Sequence, residues 1–162
     1  MALQLFKIAD ILVESPVTSV TFSNIPSGYT DLILKVSSRM STTNNFYKIE
    51  FNGSTSSHTN RRLYGNGAVA ASYSGSDIIT YSNRSDYTAN SFDNTEMYIP
   101  NYTSSNNKSI SIDNVTETNA TNNEMAIIAG LWSNTAAITS IKLTPDSGSF
   151  ATNSTFTLYG VL

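Results

Sequence analysis

The sequence holds one histidine, His58, within the polar stretch Ser56-Ser57-His58-Thr59-Asn60. A serine hydrolase needs such an imidazole oriented by a carboxylate and paired with a nucleophile, and no G-x-S-x-G elbow accompanies it. Zinc would need further His or Cys ligands, and the chain has no cysteine. The lack of cysteine also removes disulfides and thiol nucleophiles, while leaving the compartment open. His58 therefore reads as an exposed loop residue, and His58→Ala is expected to leave folding and assembly unchanged. Glycoside hydrolysis needs two carboxyl groups flanking the scissile bond. Asp93 with Glu96, or Glu117 with Glu124, could be cast in those roles, but nothing in the sequence marks either pair, and they read as solvated loop acids. A calcium loop of the form D-x-[DN]-x-[DN]-G is absent. The expectation is a protein with no enzymatic activity, no cofactor and no metal site.

Two further groups of residues could contact a partner. Arg61 and Arg62 stand side by side in a chain that is only 13% charged, followed by Leu63-Tyr64-Gly65-Asn66-Gly67. On a strand they point to opposite faces, so one lies toward the core rim or a partner. A structural ion pair is one outcome and an interface contact the other, since Arg is favoured in interfaces. Leu3, Leu5 and Phe6 precede or open the first strand in a chain otherwise sparing with apolar surface. Residues 1–5 either extend that strand or form an arm covered by a neighbouring subunit. The candidate interface is thus Leu3, Leu5, Phe6, Arg61 and Arg62. N-x-[ST] occurs at Asn52, Asn83, Asn101, Asn107, Asn114, Asn119 and Asn153. With so much Ser, Thr and Asn, about five such matches arise by chance, so composition accounts for them.

The elements that must hold these residues are strands. Length, at 162 residues, suits one domain spanning 1–162. Ser, Thr and Asn make up about two fifths of the chain. Even so, a hydrophobic share of 40% argues against disorder. Candidate strands are 6–14, 17–23, 31–39, 46–53, 77–82, 95–100, 108–115, 124–132, 137–145 and 154–162. The stretch 46–53 is the clearest, with Tyr47, Ile49 and Phe51 on one face and Lys48 and Glu50 on the other. Ser15-Pro16 reads as a hairpin turn between the first two strands, and Asn52-Gly53 as a second hairpin. Residues 124–131 would also fit a helical turn or two, but Ile127-Ile128 and the Asn-rich flanks favour strand. Short alternating strands separated by Gly, Asn and Ser point to an all-β antiparallel two-sheet sandwich, jelly-roll-like. Its core should contain Val20, Phe22, Leu32, Leu34, Val36, Ile49, Phe51, Ile110, Ile112, Ile141, Leu143, Phe156 and Leu158.

Several functions are disfavoured on composition. A net charge of −3 supplies no field for a phosphate backbone, so no nucleic-acid partner is expected. No stretch approaches the 18 apolar residues of a membrane span. Asp10 and Glu14 interrupt the apolar N-terminus, and no basic segment precedes it, so export by a signal peptide is not expected. A surface of hydroxyls and amides can pack against neighbours without desolvating unpaired charge and is insensitive to salt.

Five motifs carry a resemblance that runs nearly end to end. They are SVTFSNIPSGYTDLILKVSSR (19–39), RRLYGNG (61–67), IPNYTSSNNKSISIDNVTETNAT (99–121), AGLWSNTAAITSIKLTP (129–145) and TLYGV (157–161). In this order they resemble a family of small virion structural proteins of tailed phages of aquatic bacteria, cyanophages especially. Residues 68–94 match only loosely. The resemblance implies a non-enzymatic virion component assembled in the host cytoplasm, and no catalytic motif comes with it. The main expectation is a capsid decoration (cement) protein, a homotrimer bridging capsomers of the major capsid protein. The alternative is a tail-fibre or receptor-binding knob recognising a host surface glycan, with Tyr73, Tyr81, Tyr87 and Tyr102 as exposed stacking platforms. The absence of a fibrous or coiled-coil shaft favours decoration.

Overall fold

The computed structural model describes residues 4–119 and 123–162. Among these residues twelve strands form and no helix. Eight of them make a jelly roll. They are β1 (Leu5–Leu12), β2 (Val20–Phe22), β3 (Asp31–Ser37) and β4 (Phe46–Phe51), then β7 (Ile78–Tyr81), β8 (Asn94–Ile99), β11 (Ile141–Pro145) and β12 (Thr155–Val161). They pair as one long antiparallel ribbon, β1 with β12, β2 with β11, β3 with β8 and β4 with β7. Rolling the ribbon brings β12 onto β3 and β11 onto β4. The result is two sheets ordered β1-β12-β3-β8 and β2-β11-β4-β7, the sandwich that period-two patterning implies.

Four more strands lengthen only one of these sheets. β5 (His58–Gly65) and β6 (Ala70–Gly75) fall between β4 and β7, while β9 (Lys108–Val115) and β10 (Met125–Trp132) fall between β8 and β11. They add beyond β8 in the order β9-β10-β5-β6, so eight strands face four. β7 reaches across the sandwich to contact β9, β10 and β5. That approach depends on Gly130 of β10, where a Cβ would stand 3.2 Å from the Ile78 side chain. β6 lies past this cover and has exposed residues on both faces.

All thirteen expected core residues are buried. Phe51 meets Trp132 with ring centroids 5.6 Å apart, and Phe150 sits edge-on to Phe156 at 4.9 Å. The core therefore continues without a break from the jelly roll into the extension.

Two turns differ from expectation for one topological reason. Ser15-Pro16 does not close a hairpin, because β1 joins the large sheet and β2 the small one. Asn52 and Gly53 do form a tight turn, with φ of 53° and 70° and a Ser54 N–H to Phe51 C=O bond of 2.9 Å. Yet β4 belongs to the small sheet and β5 to the large one. In a rolled ribbon the next strand commonly crosses to the other layer, so local turn chemistry does not imply local pairing. Asn52 instead ties two loops together: its Oδ1 accepts the Thr139 N–H at 2.8 Å and its Nδ2 donates to the Ala137 carbonyl at 2.8 Å.

Asparagine abundance also has a backbone cause. Among the described residues seven non-glycine positions have positive φ, and six of them are asparagines: Asn24, Asn52, Asn90, Asn101, Asn119 and Asn153. Asparagine tolerates this left-handed region better than other side chains.

Candidate interface on the extended sheet

β5 inverts the usual pattern. Its inward positions are His58, Asn60 and Arg62, all buried, while Leu63 points out. The expectation of an exposed loop His58 is therefore corrected. Its ring stacks on Trp132 at 6.3 Å with 16° between planes and lies 6.1 Å from Phe51. Burial lowers its pKa, with Asp77 and Glu50 opposing, so the imidazole is a neutral core aromatic.

Arg62 is likewise buried, and among the described residues it makes no ion pair. Its guanidinium lies 4.5 Å from the Tyr73 ring centroid, 5.2 Å from Phe46 and 5.4 Å from Tyr81. Three aromatic faces take the place of the expected carboxylate, since a ring quadrupole attracts a weakly hydrated cation. Arg61 points outward and donates to the Asn60 carbonyl at 3.2 Å.

The four acids differ in their surroundings and partners. Asp93 is buried and accepts from the Ser38 amide and, at 2.6 Å, from the Thr95 hydroxyl. Burial pushes its pKa up to about 7, against the pull of those hydrogen bonds. Glu96, three residues on, faces solvent and pairs with Lys35 at 2.9 Å. Glu124 accepts from the Asn45 amide at 2.7 Å and burial raises its pKa. Glu117 instead binds the Asn119 N–H at 2.6 Å. The solvated-acid reading thus fails for Asp93. Among the described residues no three His, Cys, Asp or Glu side chains are grouped to hold a metal.

Three of the four tyrosines proposed as sugar platforms are core residues. Tyr81, Tyr87 and Tyr102 are buried, and only Tyr73 is exposed, over Arg62.

The surface that stands out is the outer face of the extension. Cross-strand registers place Val115, Met125, Gly65 and Ala70 in one row and Asp113, Ile127, Leu63 and Ser72 in the next. Gly65 and Ala70 lack bulk, so the first row sinks between its neighbours. The result is an open groove of about 490 Å³ lined by Leu63, Met125, Ile127 and Val115. Met125 and Ile127 are each 64% exposed and Leu63 is 60% exposed. A smaller hollow of about 240 Å³ continues from it past Gly65 and Gly67 to Glu117 and Glu124. Chemically this face offers apolar burial bounded by acids.

The expected interface residues are not brought together. Leu3 lies outside the described residues. Leu5 and Phe6 are exposed on β1, paired with Val161 and Gly160, and the Phe6 ring stacks on Tyr29 at 5.9 Å. Arg61 lies on β5, six strand positions away in the same sheet, a separation of roughly 30 Å. The signal for the groove was nonetheless in the sequence. Residues 125–132 are apolar in both alternating phases, which describes a strand with no water-seeking face.

No protein-family model matches the chain, and no curated protein matches it.

Proposed function

We infer that this is a non-enzymatic structural protein of a phage virion, fixed to the major capsid protein as a decoration subunit. The observation that carries this reading is the outward apolar face of Leu63, Met125 and Ile127. Monomeric proteins seldom leave such a patch uncovered, and burying these three side chains would contribute about 1.5–3 kcal/mol each. The resemblance of the five motifs to small virion proteins supports the same conclusion, and so does the charge-poor surface. The glycan-binding reading has less support, because Tyr81, Tyr87 and Tyr102 are buried.

The test is to add the purified protein to virion shells stripped of it and count bound copies. Wild type should rebind in hundreds per particle, while Ile127→Ser combined with Leu63→Ser should fold normally and fail to rebind. Binding of only a few copies, at the tail, would point to a fibre component. Undiminished rebinding of the double variant would remove the face from the interface.

A further inference from the structure

We propose that the exposed edge of β6 pairs antiparallel with β6 of a second copy of this chain, making a twofold dimer with one continuous sheet. This rests on the edge itself and does not depend on the virion reading.

Among the described residues there are four sheet edges, and three are guarded. β2 is three residues long and β7 four. β1 carries a register irregularity between Lys7 and Ala9 and a Lys7–Asp10 ion pair of 2.8 Å. Short length, bulges and charge are the usual protections against strand addition. β6 has none of them: six residues in regular register with β5, and no charged residue anywhere from Leu63 to Ser76.

The hydrogen-bonding phase of this edge follows from its neighbours. The Ser133 N–H donates to the Ser57 carbonyl at 2.8 Å, which assigns the odd-numbered residues of β5 to β10. The Asn66 N–H donates to the Val69 carbonyl at 3.1 Å, which assigns the even-numbered ones to β6. Antiparallel pairs alternate, so Ala71 and Tyr73 bond inward to β5. Ala70, Ser72 and Ser74 then direct their N–H and C=O groups into solvent.

A second copy is the occupant that this spacing fits. Outward groups at 70, 72 and 74 place a twofold axis at Ser72, pairing Ala70 with Ser74 of the other copy and Ser72 with itself. A residue facing its own copy cannot carry a charge without repulsion, and the central residue is a neutral serine, with Ala70 and Ser74 as its neighbours on the same face. The axis stands perpendicular to the sheet, so both apolar grooves emerge on the same side. The dimer then presents two copies of the Leu63 and Ile127 surface in one plane.

The experiment uses the full chain. Sedimentation velocity across a concentration series should show a monomer–dimer equilibrium. Amide exchange should show the Ala70, Ser72 and Ser74 amides becoming protected as dimer forms, with Ala71 and Tyr73 protected throughout. Ser72→Pro removes an outward N–H without touching the β5 ladder and should weaken dimerisation at least roughly tenfold. Ser72→Lys, which sets like charges face to face, should do the same if the proline variant misfolds. A monomer at every concentration overturns the proposal. So does a trimer or dimer whose Ser72 and Ser74 amides exchange freely, or a dimer unaffected by Ser72→Lys.

Discussion

On the jelly-roll half of the large sheet, the outward positions of β3 and β8 are tied to one another. Lys35 meets Glu96 at 2.9 Å, and the Tyr98 hydroxyl donates to Asp31 at 2.6 Å. Two to three strands further along the same face, the outward positions are Met125, Ile127 and Leu63, with no polar partner to satisfy. The inner faces differ in the opposite sense. β3, β8 and β12 turn Leu34, Met97 and Leu158 inward, whereas β5 turns His58, Asn60 and Arg62 inward. A bare apolar outer face is therefore no requirement of this sheet, since its other half folds with a polar one. What the extension gives up in ordinary amphipathicity it recovers through ring stacking on Trp132, Phe46 and Tyr81.

The sharpest way to break this comparison is to ask whether the halves are one cooperative unit. Phe51 of β4 touches both Trp132 and His58 of the extension. Phe51→Ala should cost about 3–5 kcal/mol, with unfolding in urea still a single transition by fluorescence and circular dichroism. Two separated transitions would mean that the extension is an appendage and not a part of the core.

Next in size is the junction. Asp93 accepts from Ser38 at the end of β3 and Thr95 of β8, and Asn114 of β9 donates to Thr95 Oγ1 at 2.6 Å. Its folded pKa of about 7 lies above the ordinary 3.8, so the folded state holds this proton more tightly than the unfolded one. Stability from this group is fully present below about pH 4 and is lost as pH rises to about 7. The loss is on the order of 4 kcal/mol at most. His58 acts in the other direction, because its lowered pKa removes stability as pH falls through the acid range. Asp93→Asn should abolish the decline between pH 4 and 7 in a series of urea midpoints. A decline that survives the substitution would assign it elsewhere.

Smaller effects separate the two faces of the extension. Arg62→Lys should cost about 1–2 kcal/mol, because an ammonium cannot stack on three rings as a guanidinium does. His58→Ala should also destabilise, by about 1–3 kcal/mol through lost ring contacts, where the loop reading expected no change. Ile127→Ser, on the outer face, should shift stability by no more than about 0.5 kcal/mol. Thermal melts of the three variants give the order directly. An Ile127→Ser loss as large as that of Arg62→Lys would mean that the outer face is structural.

Strands whose apolar residues keep one phase were legible in the sequence. β9 was placed at its observed limits, and β4 differs only at its C-terminal end. β5 was missed because its buried phase is His, Asn and Arg, a pattern that reads as loop until the Trp132 and tyrosine rings that receive those side chains are known. β6 was missed because Ala, Ser and Gly give no phase at all. Turn residues were recognised as turns, but which sheet the chain enters next is a property of the rolled ribbon and not of four residues. Tyrosines set among serines and asparagines read as exposed platforms. Tyr81, Tyr87 and Tyr102 instead bury their rings, and Tyr102 donates its hydroxyl to the Pro26 carbonyl.

The pairing of β1 with β12 has a further consequence, for the order in which this molecule can be made. Leu5 bonds in register with Val161 and Leu12 with Thr155, so the partner of β1 lies nearly the whole chain away. A ribosome makes β12 long after β1, and until then β1 has no strand to join. Contacts this distant in sequence close slowly, because loop entropy must be overcome before they form. The large sheet is therefore completed only after all the intervening strands have been made. Refolding from denaturant should take milliseconds to seconds, with protection of the β1 amides among the last to appear.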